Sequence, residues 1–137
     1  RKNSIIIHIN KGEIFMIKRI AGHYDDKTLS KGVEAGQYIY LSHHSGGYEK
    51  EEVSHQMRKT FEGIKDTLSY FDANLSDMLQ VNLYLKTKED FEDAISVFGE
   101  YFEEQDAPTR TTVITDFVEE GCLCQIDGVA YKENIAG

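Results

Sequence analysis

The sequence has few residues that cross-link, break or anchor a chain. Of 137 residues, two are cysteines, one is proline and none is tryptophan. Two cysteines cannot build the disulfide framework of a secreted domain, and their scarcity is typical of a reducing cytoplasm. No apolar run approaches the ~18 residues of a membrane span, and the run at 5–7 is too short for the core of a signal peptide. The sequence therefore predicts a soluble, cytoplasmic protein with no membrane partner.

Basic residues are also scarce. The chain has 15 Lys and Arg against 24 Asp and Glu, a net charge of −9. Such a surface repels phosphate backbones, and this disfavours nucleic-acid partners. The apolar fraction of 40% is nevertheless enough for a hydrophobic core, which excludes wholesale disorder.

The length corresponds to one domain. Residues 1–15 are predicted to be an N-terminal extension, because a polar stretch at 10–13 interrupts the apolar pattern before it restarts at Met16. The internal methionine raises the hypothesis that the natural start is Met16 and that residues 1–15 are a non-native leader. Residues 16–137 are predicted to form the single domain.

Hydrophobic periodicity predicts two helices and five strand regions in the order β-β-α-β-α-β-β. Apolar residues recur at three- and four-residue spacing over 53–71 and 91–102, which is typical of amphipathic helices. Alternating or β-branched segments predict strands at 16–20, 33–41, 81–85, 111–115 and 122–131. The segment 33–41 contains Gly36 and fits either a strand pair or one strand with a bulge.

This order predicts an α+β fold, with two helices packed on one face of a mixed sheet. The other face has no helices left to cover it. The strand at 81–85 presents Asn82 and Tyr84 on one side, and both sides of the last strand carry apolar groups. A semi-apolar face without a cover implies self-association, but not the number of subunits.

Arg110 is the best candidate for an anion-binding residue. It opens a strand of uncharged neighbours, and a guanidinium can grip a carboxylate or phosphate with two parallel hydrogen bonds. The alternative is a surface arginine paired with one of the many acids. Gln125 and Asp127 share one face of the last strand, where structural hydrogen bonding competes with a role for Asp127 as acid or base.

The remaining candidates favour no metal or nucleophile. His43 and His44 are adjacent, so in an extended chain they point in opposite directions, and no ligand at metal-binding spacing accompanies them. Cys122 and Cys124 have no cationic neighbour that would activate a thiolate. Ser42 lies in no nucleophile elbow. From the residues alone, the sequence predicts an acidic, cytoplasmic, oligomeric α+β domain in which Arg110 is the best candidate for binding an anion.

Several segments together resemble the RidA/YjgF family, the reactive-intermediate deaminases that are also described as L-PSP endoribonuclease-like proteins. Ala107-Pro108-Thr109-Arg110 is similar to the family's Pro-Ala-Arg signature, and 125–130 is similar to its Glu-Ile-Glu-Ala-Ile-Ala ending. The segments 30–42, 56–64 and 75–85 resemble the early strand pair, the first helix and the approach to the central strand. The resemblance covers about 16–131.

The resemblance implies a chorismate-mutase-like fold and a homotrimer whose helix-free faces form a central β-barrel. It further implies ligand clefts between subunits, in which Arg110 binds the carboxylate of a small 2-imino or enamine acid. Hydrolysis would then release ammonia and a 2-oxo acid. No cofactor is implied, because an imine is already electrophilic.

The chain departs from the family pattern at several cleft positions. The water-activating glutamate is Gln125, which positions water but accepts no proton. The Ser-Gly-Gln loop reads Ser42-His43-His44, and a histidine there either acts as an acid or base or only fills the pocket. Thr112 replaces a cysteine of some members, and Ile95 replaces the asparagine of the second helix. The aromatic residue expected near Ser30 is Leu29 by direct count, and Tyr24 fits only with a gap.

The predicted site therefore comprises Arg110 and Gln125 as catalytic residues, with Thr112 and the loop Ser42-His43-His44 as further ligand-binding residues. Deamination of imino acids is the leading hypothesis. A non-catalytic binder or sensor of small carboxylates in the same cleft is the alternative. A ribonuclease is less consistent with the net charge of −9.

Overall fold

One mixed sheet organises the chain. The computed structural model describes the backbone of residues 5–9 and 16–133 and the side chains of residues 17–133. Within these residues, seven strands form one sheet in the order β1-β2-β3-β4-β7-β5-β6, and all neighbours are antiparallel except β5 and β6. The strands are β1 (Ile5–Ile9), β2 (Met16–Ala21), β3 (Ser30–Ala35), β4 (Tyr38–His44), β5 (Met78–Leu85), β6 (Thr109–Ile114) and β7 (Cys124–Tyr131). The helices are α1 (Val53–Ser69) and α2 (Phe91–Tyr101).

The predicted α+β class, with two helices on a mixed sheet, is confirmed. The segment 33–41 belongs to a strand pair, in which β3 and β4 join through a turn at Gly36. Gly36 has a φ of +61°, a conformation that suits glycine. The predicted extension, residues 1–15, lies outside the described residues except for 5–9, whose backbone pairs with β2 as strand β1. The Met16 start stays a prediction.

The core lies between the helices and one face of the sheet. The apolar stripe predicted for the first helix is buried along α1, as the spacing required. Phe61 is fully buried at the contact between helices, and its ring stacks on Tyr101 and meets Phe98 edge to face. Alternate residues of β5 and β7 complete this layer from the sheet side.

The opposite side of the sheet, which we call the open face, has no helix over it among the described residues. Strand alternation and register place the following side chains there: Tyr38, Tyr40, Asn82, Tyr84, Val113, Gln125, Asp127, Val129 and Tyr131. Tyr38 and Tyr40 are both close to half exposed, at 44% and 49%. The predicted split of β5 into an aliphatic face and an Asn82-Tyr84 face is therefore confirmed.

Strands β5 and β7 approach unusually closely at Gly128. A Cβ at this position would lie 2.3 Å from the carbonyl oxygen of Gln80 and 2.7 Å from the Met78 side chain. The register of the two strands shifts at the same place, between Met78 and Gln80. Glycine is therefore required here by contact, because a methyl group has no room.

A buried glutamine positions the loop that joins β6 to β7. The Gln56 side chain on α1 is fully buried and donates to the carbonyls of Lys50 and Gly121, each at 2.9 Å. Its Oε1 accepts from the backbone N–H of Leu123 at 2.8 Å. Buried amides with all partners satisfied are strong positional restraints, so the loop is held against the helix layer just before β7.

Candidate functional site

Arg110 lies at the edge strand β6, on the side of the sheet that carries the helices. Its register partner on β5 is the buried Val81, and its guanidinium carbon lies 4.9 Å from the centroid of the Phe98 ring. Cation–π contact of this kind contributes about 0.5–1 kcal/mol at exposed sites. Within residues 17–133, the guanidinium forms no ion pair and no hydrogen bond, so its donors are available to a ligand.

The guanidinium borders a shallow depression of about 240 Å³ between α2 and β6. Pro108 and Ile95 contribute to its lining, so the position at which the family has an asparagine lies beside the arginine here. Thr112 follows two residues after Arg110 on the same face of β6. The depression therefore combines a cation and an apolar wall with two carboxylates, because Glu103 and Glu104 also line it.

A second concave region lies on the open face. This open-face pocket has a volume of about 360 Å³ and is lined by His43, Tyr84, Thr115, Asp116, Phe117, Val118, Glu119, Gln125 and Asp127. Gln125 donates through Nε2 to Glu119 Oε1 at 2.8 Å. The other oxygen of Glu119 lies 3.8 Å from His43 Nε2. His43 and Gln125, both predicted site residues, therefore lie beside the same carboxylate, that of Glu119. Glu119 itself was not predicted as a site residue from the sequence.

Asp127 forms the floor of the open-face pocket with both carboxylate oxygens in use. Asn82 donates to one oxygen at 2.7 Å, and the Tyr84 hydroxyl donates to the other at 2.9 Å. Partial burial, together with this bond to Asp127, raises the pKa of Tyr84. Both oxygens of Asp127 are therefore committed to neighbours, which favours the structural interpretation of this residue.

A small indentation beside the open-face pocket shares two of its residues. It is lined by His23, Tyr24, His43, Ser45 and Glu119. Tyr24 stands in the left-handed conformation with a φ of +53°. A tyrosine that matches the family pattern only with a gap is therefore adjacent to His43 and Glu119 in space.

His44 and Ser42 are not in contact with either pocket. His44 is buried, and its Nδ1 lies 2.8 Å from the carbonyl of Ser42 while its Nε2 lies 2.8 Å from the Thr67 hydroxyl. A carbonyl only accepts, so Nδ1 carries the proton and Nε2 accepts from Thr67. Burial lowers the pKa of His44 to about 4, which leaves it neutral at neutral pH. Ser42 donates through Oγ to the carbonyl of Lys31 at 3.2 Å.

A β-bulge decides which of the two adjacent histidines faces the pocket. Ile39 and Leu41 point to the core, so strict alternation would send His43 inward and His44 outward. The pairing of β4 with β7 shifts between Leu41 and His44, which inverts the order. His43 consequently lies on the open face, and His44 fills the core.

We expect the buried His44 to make stability depend on pH. An unfolded histidine has a pKa of about 6.5 and binds a proton that the folded state excludes, so the free energy of unfolding should fall as pH falls from about 6.5 to about 4. The loss contributed by this residue should reach about 3 kcal/mol at pH 4. Urea unfolding at a series of pH values measures it, with His44→Gln expected to flatten the curve and His43→Gln to leave it sloped. Equal slopes in all three proteins would contradict the assignment.

Apart from Ser42 and His44, the predicted site residues fall into two groups on opposite faces of the sheet. Arg110 and Thr112 lie on the helix side at the edge, whereas His43 and Gln125 lie on the open face. One chain therefore does not bring the predicted arginine and glutamine together.

The described residues show no other chemical centre. Among them no group of three His, Cys, Asp or Glu side chains is placed to hold a metal ion. Both cysteines are buried and unpaired, and burial raises the pKa of the Cys124 thiol to about 12. No helix in the described part of the chain combines the length and apolar character needed to cross a bilayer.

The fold is that of known YjgF proteins. The chain is similar to a YjgF family member from Neisseria meningitidis, with a TM-score of 0.78 and 19% identity over 86% of this chain and 96% of that one. It is also similar to RidA from an Antarctic Psychrobacter species, with a TM-score of 0.70 and 26% identity over 76% of this chain and 88% of the other.

Sequence comparison gives the same result. The family described as Endoribonuclease L-PSP matches residues 21–132. A RutC family protein of Pyrococcus horikoshii is 30% identical over 110 residues, which cover 76% of this chain and 86% of the relative. The chain belongs to the RidA/YjgF family, and the resemblance predicted from the sequence is confirmed.

Proposed function

We propose that this protein is a homotrimer that hydrolyses small 2-imino acids to 2-oxo acids and ammonia in clefts between its subunits. The observation that carries the proposal is the Arg110 guanidinium, which stands at a sheet edge without an ion partner among the described residues. Its fork of donors matches a carboxylate bidentately, and this would fix the imine carbon of a bound 2-imino acid beside a water molecule.

Self-association is supported by the open face. It presents half-exposed tyrosines beside Val113 and Val129, and no helix of the described chain covers them. Burying such a surface is favourable by roughly 25 cal/mol per Å² of apolar area. Packing copies through this face would bring the open-face pocket of one subunit towards the β6 edge of a neighbour, which is what joining Arg110 to Gln125 requires.

A carboxylate-binding protein without catalysis is the second candidate. Gln125 replaces the glutamate that the family pattern has at this position, and an amide accepts no proton at useful pH. Ribonuclease activity, which the description of the matching family names, is disfavoured by the net charge of −9. The cytoplasmic location likewise stays a prediction from the sequence.

The two candidates are separated by one assay. Freshly generated 2-iminobutanoate is mixed with the protein, and the formation of 2-oxobutanoate and ammonia is followed against the spontaneous rate. A rate above that background supports the deaminase. Binding of 2-oxobutanoate with no rate above background would instead establish the non-catalytic binder.

The shared cleft makes a further prediction about mixed oligomers. Arg110→Ala and Gln125→Leu proteins should each be inactive as pure oligomers, since every cleft lacks one partner. Trimers assembled from equal amounts of both should recover about a quarter of the wild-type clefts if the chains mix at random. Native mass spectrometry confirms that the chains have mixed. Mixed trimers with no recovered activity would place Arg110 and Gln125 in separate sites.

A further inference from the structure

We propose that Glu119 is the general base of this protein, supplying from the β6–β7 loop the carboxylate that position 125 lacks. The inference rests on the proposed deaminase function and names the residue that activates water in it. No pattern in the sequence distinguishes Glu119 from its neighbour Glu120, so the assignment comes from the structure alone.

Glu119 is placed where a general base of this reaction would have to act. Glu119 Oε1 accepts from Gln125 Nε2 at 2.8 Å, so the carboxylate lies directly against the side chain that occupies the family's glutamate position. The Glu119 side chain is 24% exposed, which keeps it partly shielded but open to the pocket. Gln56 fixes the loop on its far side through Gly121 and Leu123, so the approach does not depend on a free loop end.

The hydrogen bonds of the Glu119–Gln125 pair leave two acceptors for a water molecule. The Gln125 amide nitrogen donates to Glu119 and contacts Cys122 Sγ at 3.8 Å, whereas its Oε1 accepts no hydrogen bond from the described residues. A water molecule in the pocket is thus able to donate one O–H to Gln125 Oε1 and the other to Glu119. Such a water has its oxygen lone pair directed away from both acceptors, which is the orientation that attack on a carbon requires.

The charged groups around Glu119 distinguish it from the other carboxylates of the pocket. Besides Glu119, the titratable side chains that line the open-face pocket and the adjoining indentation are His23, Tyr24, His43, Tyr84, Asp116 and Asp127. Asp127 is occupied by Asn82 and Tyr84, whereas Glu119 Oε2 faces His43 at 3.8 Å. Glu119 is therefore the carboxylate of this pocket that contacts Gln125, and its second oxygen faces His43.

The chemistry balances with water as the only co-reactant. Glu119 takes a proton from water as the water oxygen bonds to the iminium carbon, and the C=N π pair becomes the nitrogen lone pair of a neutral carbinolamine. Protonated Glu119 then returns the proton to that nitrogen. The C–N bond breaks, ammonia leaves with the bonding pair, and the hydroxyl oxygen forms the C=O bond while its proton passes to Glu119 and then to solvent.

The test uses Glu119→Gln, which preserves side-chain size and the oxygen that accepts from Gln125. We expect kcat for 2-iminobutanoate to fall by about 100-fold or more, because general base catalysis contributes about 10²–10⁴. The affinity for 2-oxobutanoate should be unchanged, since the carboxylate is held elsewhere. Glu120→Gln, an exposed neighbour on the same loop, is the matched control and should keep the wild-type rate.

The exchange variant Glu119→Gln/Gln125→Glu completes the test. It keeps one carboxylate and one amide in contact and should recover most of the lost rate. An active wild type whose kcat is unaffected by Glu119→Gln would overturn the role of Glu119 and leave the deaminase standing. A wild type that binds 2-oxobutanoate but hydrolyses no imine would overturn the deaminase itself, and the two failures are thereby distinguished.

Discussion

Replacing Arg110 with alanine should weaken the binding of 2-oxobutanoate by at least about 100-fold and abolish imine hydrolysis. Two charge-assisted hydrogen bonds, each contributing about 1.5–3 kcal/mol, are lost together with the register of the ligand. Isothermal titration calorimetry measures the binding. Folding should be retained, because the side chain is exposed and its one described contact is with the Phe98 ring.

Two controls accompany the Arg110 experiment. Arg58→Ala removes another exposed guanidinium, one that already forms a paired contact with Glu100, and should leave binding intact. Arg110→Lys keeps the charge but loses the planar fork and should bind weakly. If Arg110→Ala binds 2-oxobutanoate with wild-type affinity, the proposed ligand site is wrong. If this variant fails to fold, the arginine has a structural role.

Placing a charge on the open face should separate the subunits and remove activity without touching any residue of the site. Tyr40 is half exposed in the single chain, so Tyr40→Asp is tolerated by the monomer. In a trimer built on this face, the same carboxylate would be buried without a partner, at a cost of several kcal/mol. Light scattering should then report 15.6 kDa for the variant, against three times that mass for the wild type.

Phe91→Asp provides the comparison for Tyr40→Asp. Phe91 is also a partly exposed aromatic residue, but it lies at the start of α2 in the helix layer. We expect this variant to remain trimeric and active. A Tyr40→Asp protein that stays trimeric would show that the assembly, if present, uses another surface.

The fold was predictable because the spacing of apolar residues along the chain indicates both the helices and the buried side of each strand. The spacing of Phe61 and Ile64 places both on one helical stripe, and the alternation of β5 separates Asn82 and Tyr84 from the core. Such patterns depend only on residues a few positions apart in the chain, so they can be recognised without knowledge of the tertiary structure.

The site was less predictable because its geometry depends on contacts far apart in the chain. The bulge in β4 that exchanges His43 and His44 has no signal in the sequence, since it arises from pairing with β7. The contact between Glu119 and Gln125 depends on how the loop folds back and on the restraint from Gln56. The spacing of Arg110 and Gln125 in the sequence also does not indicate that they lie on opposite faces of the sheet.

The close approach at Gly128 ties two distant positions of the chain to one another. The ending that the family pattern gives as Glu-Ile-Glu-Ala-Ile-Ala reads Gln-Ile-Asp-Gly-Val-Ala here, and the alanine methyl group would collide with the carbonyl of Gln80. In this chain the carbonyl oxygen of Gln80 on β5 occupies the space that this methyl group would need. Strand β5 also carries Asn82 and Tyr84 to Asp127. A side chain at position 128 would therefore push on the strand that forms the floor of the open-face pocket.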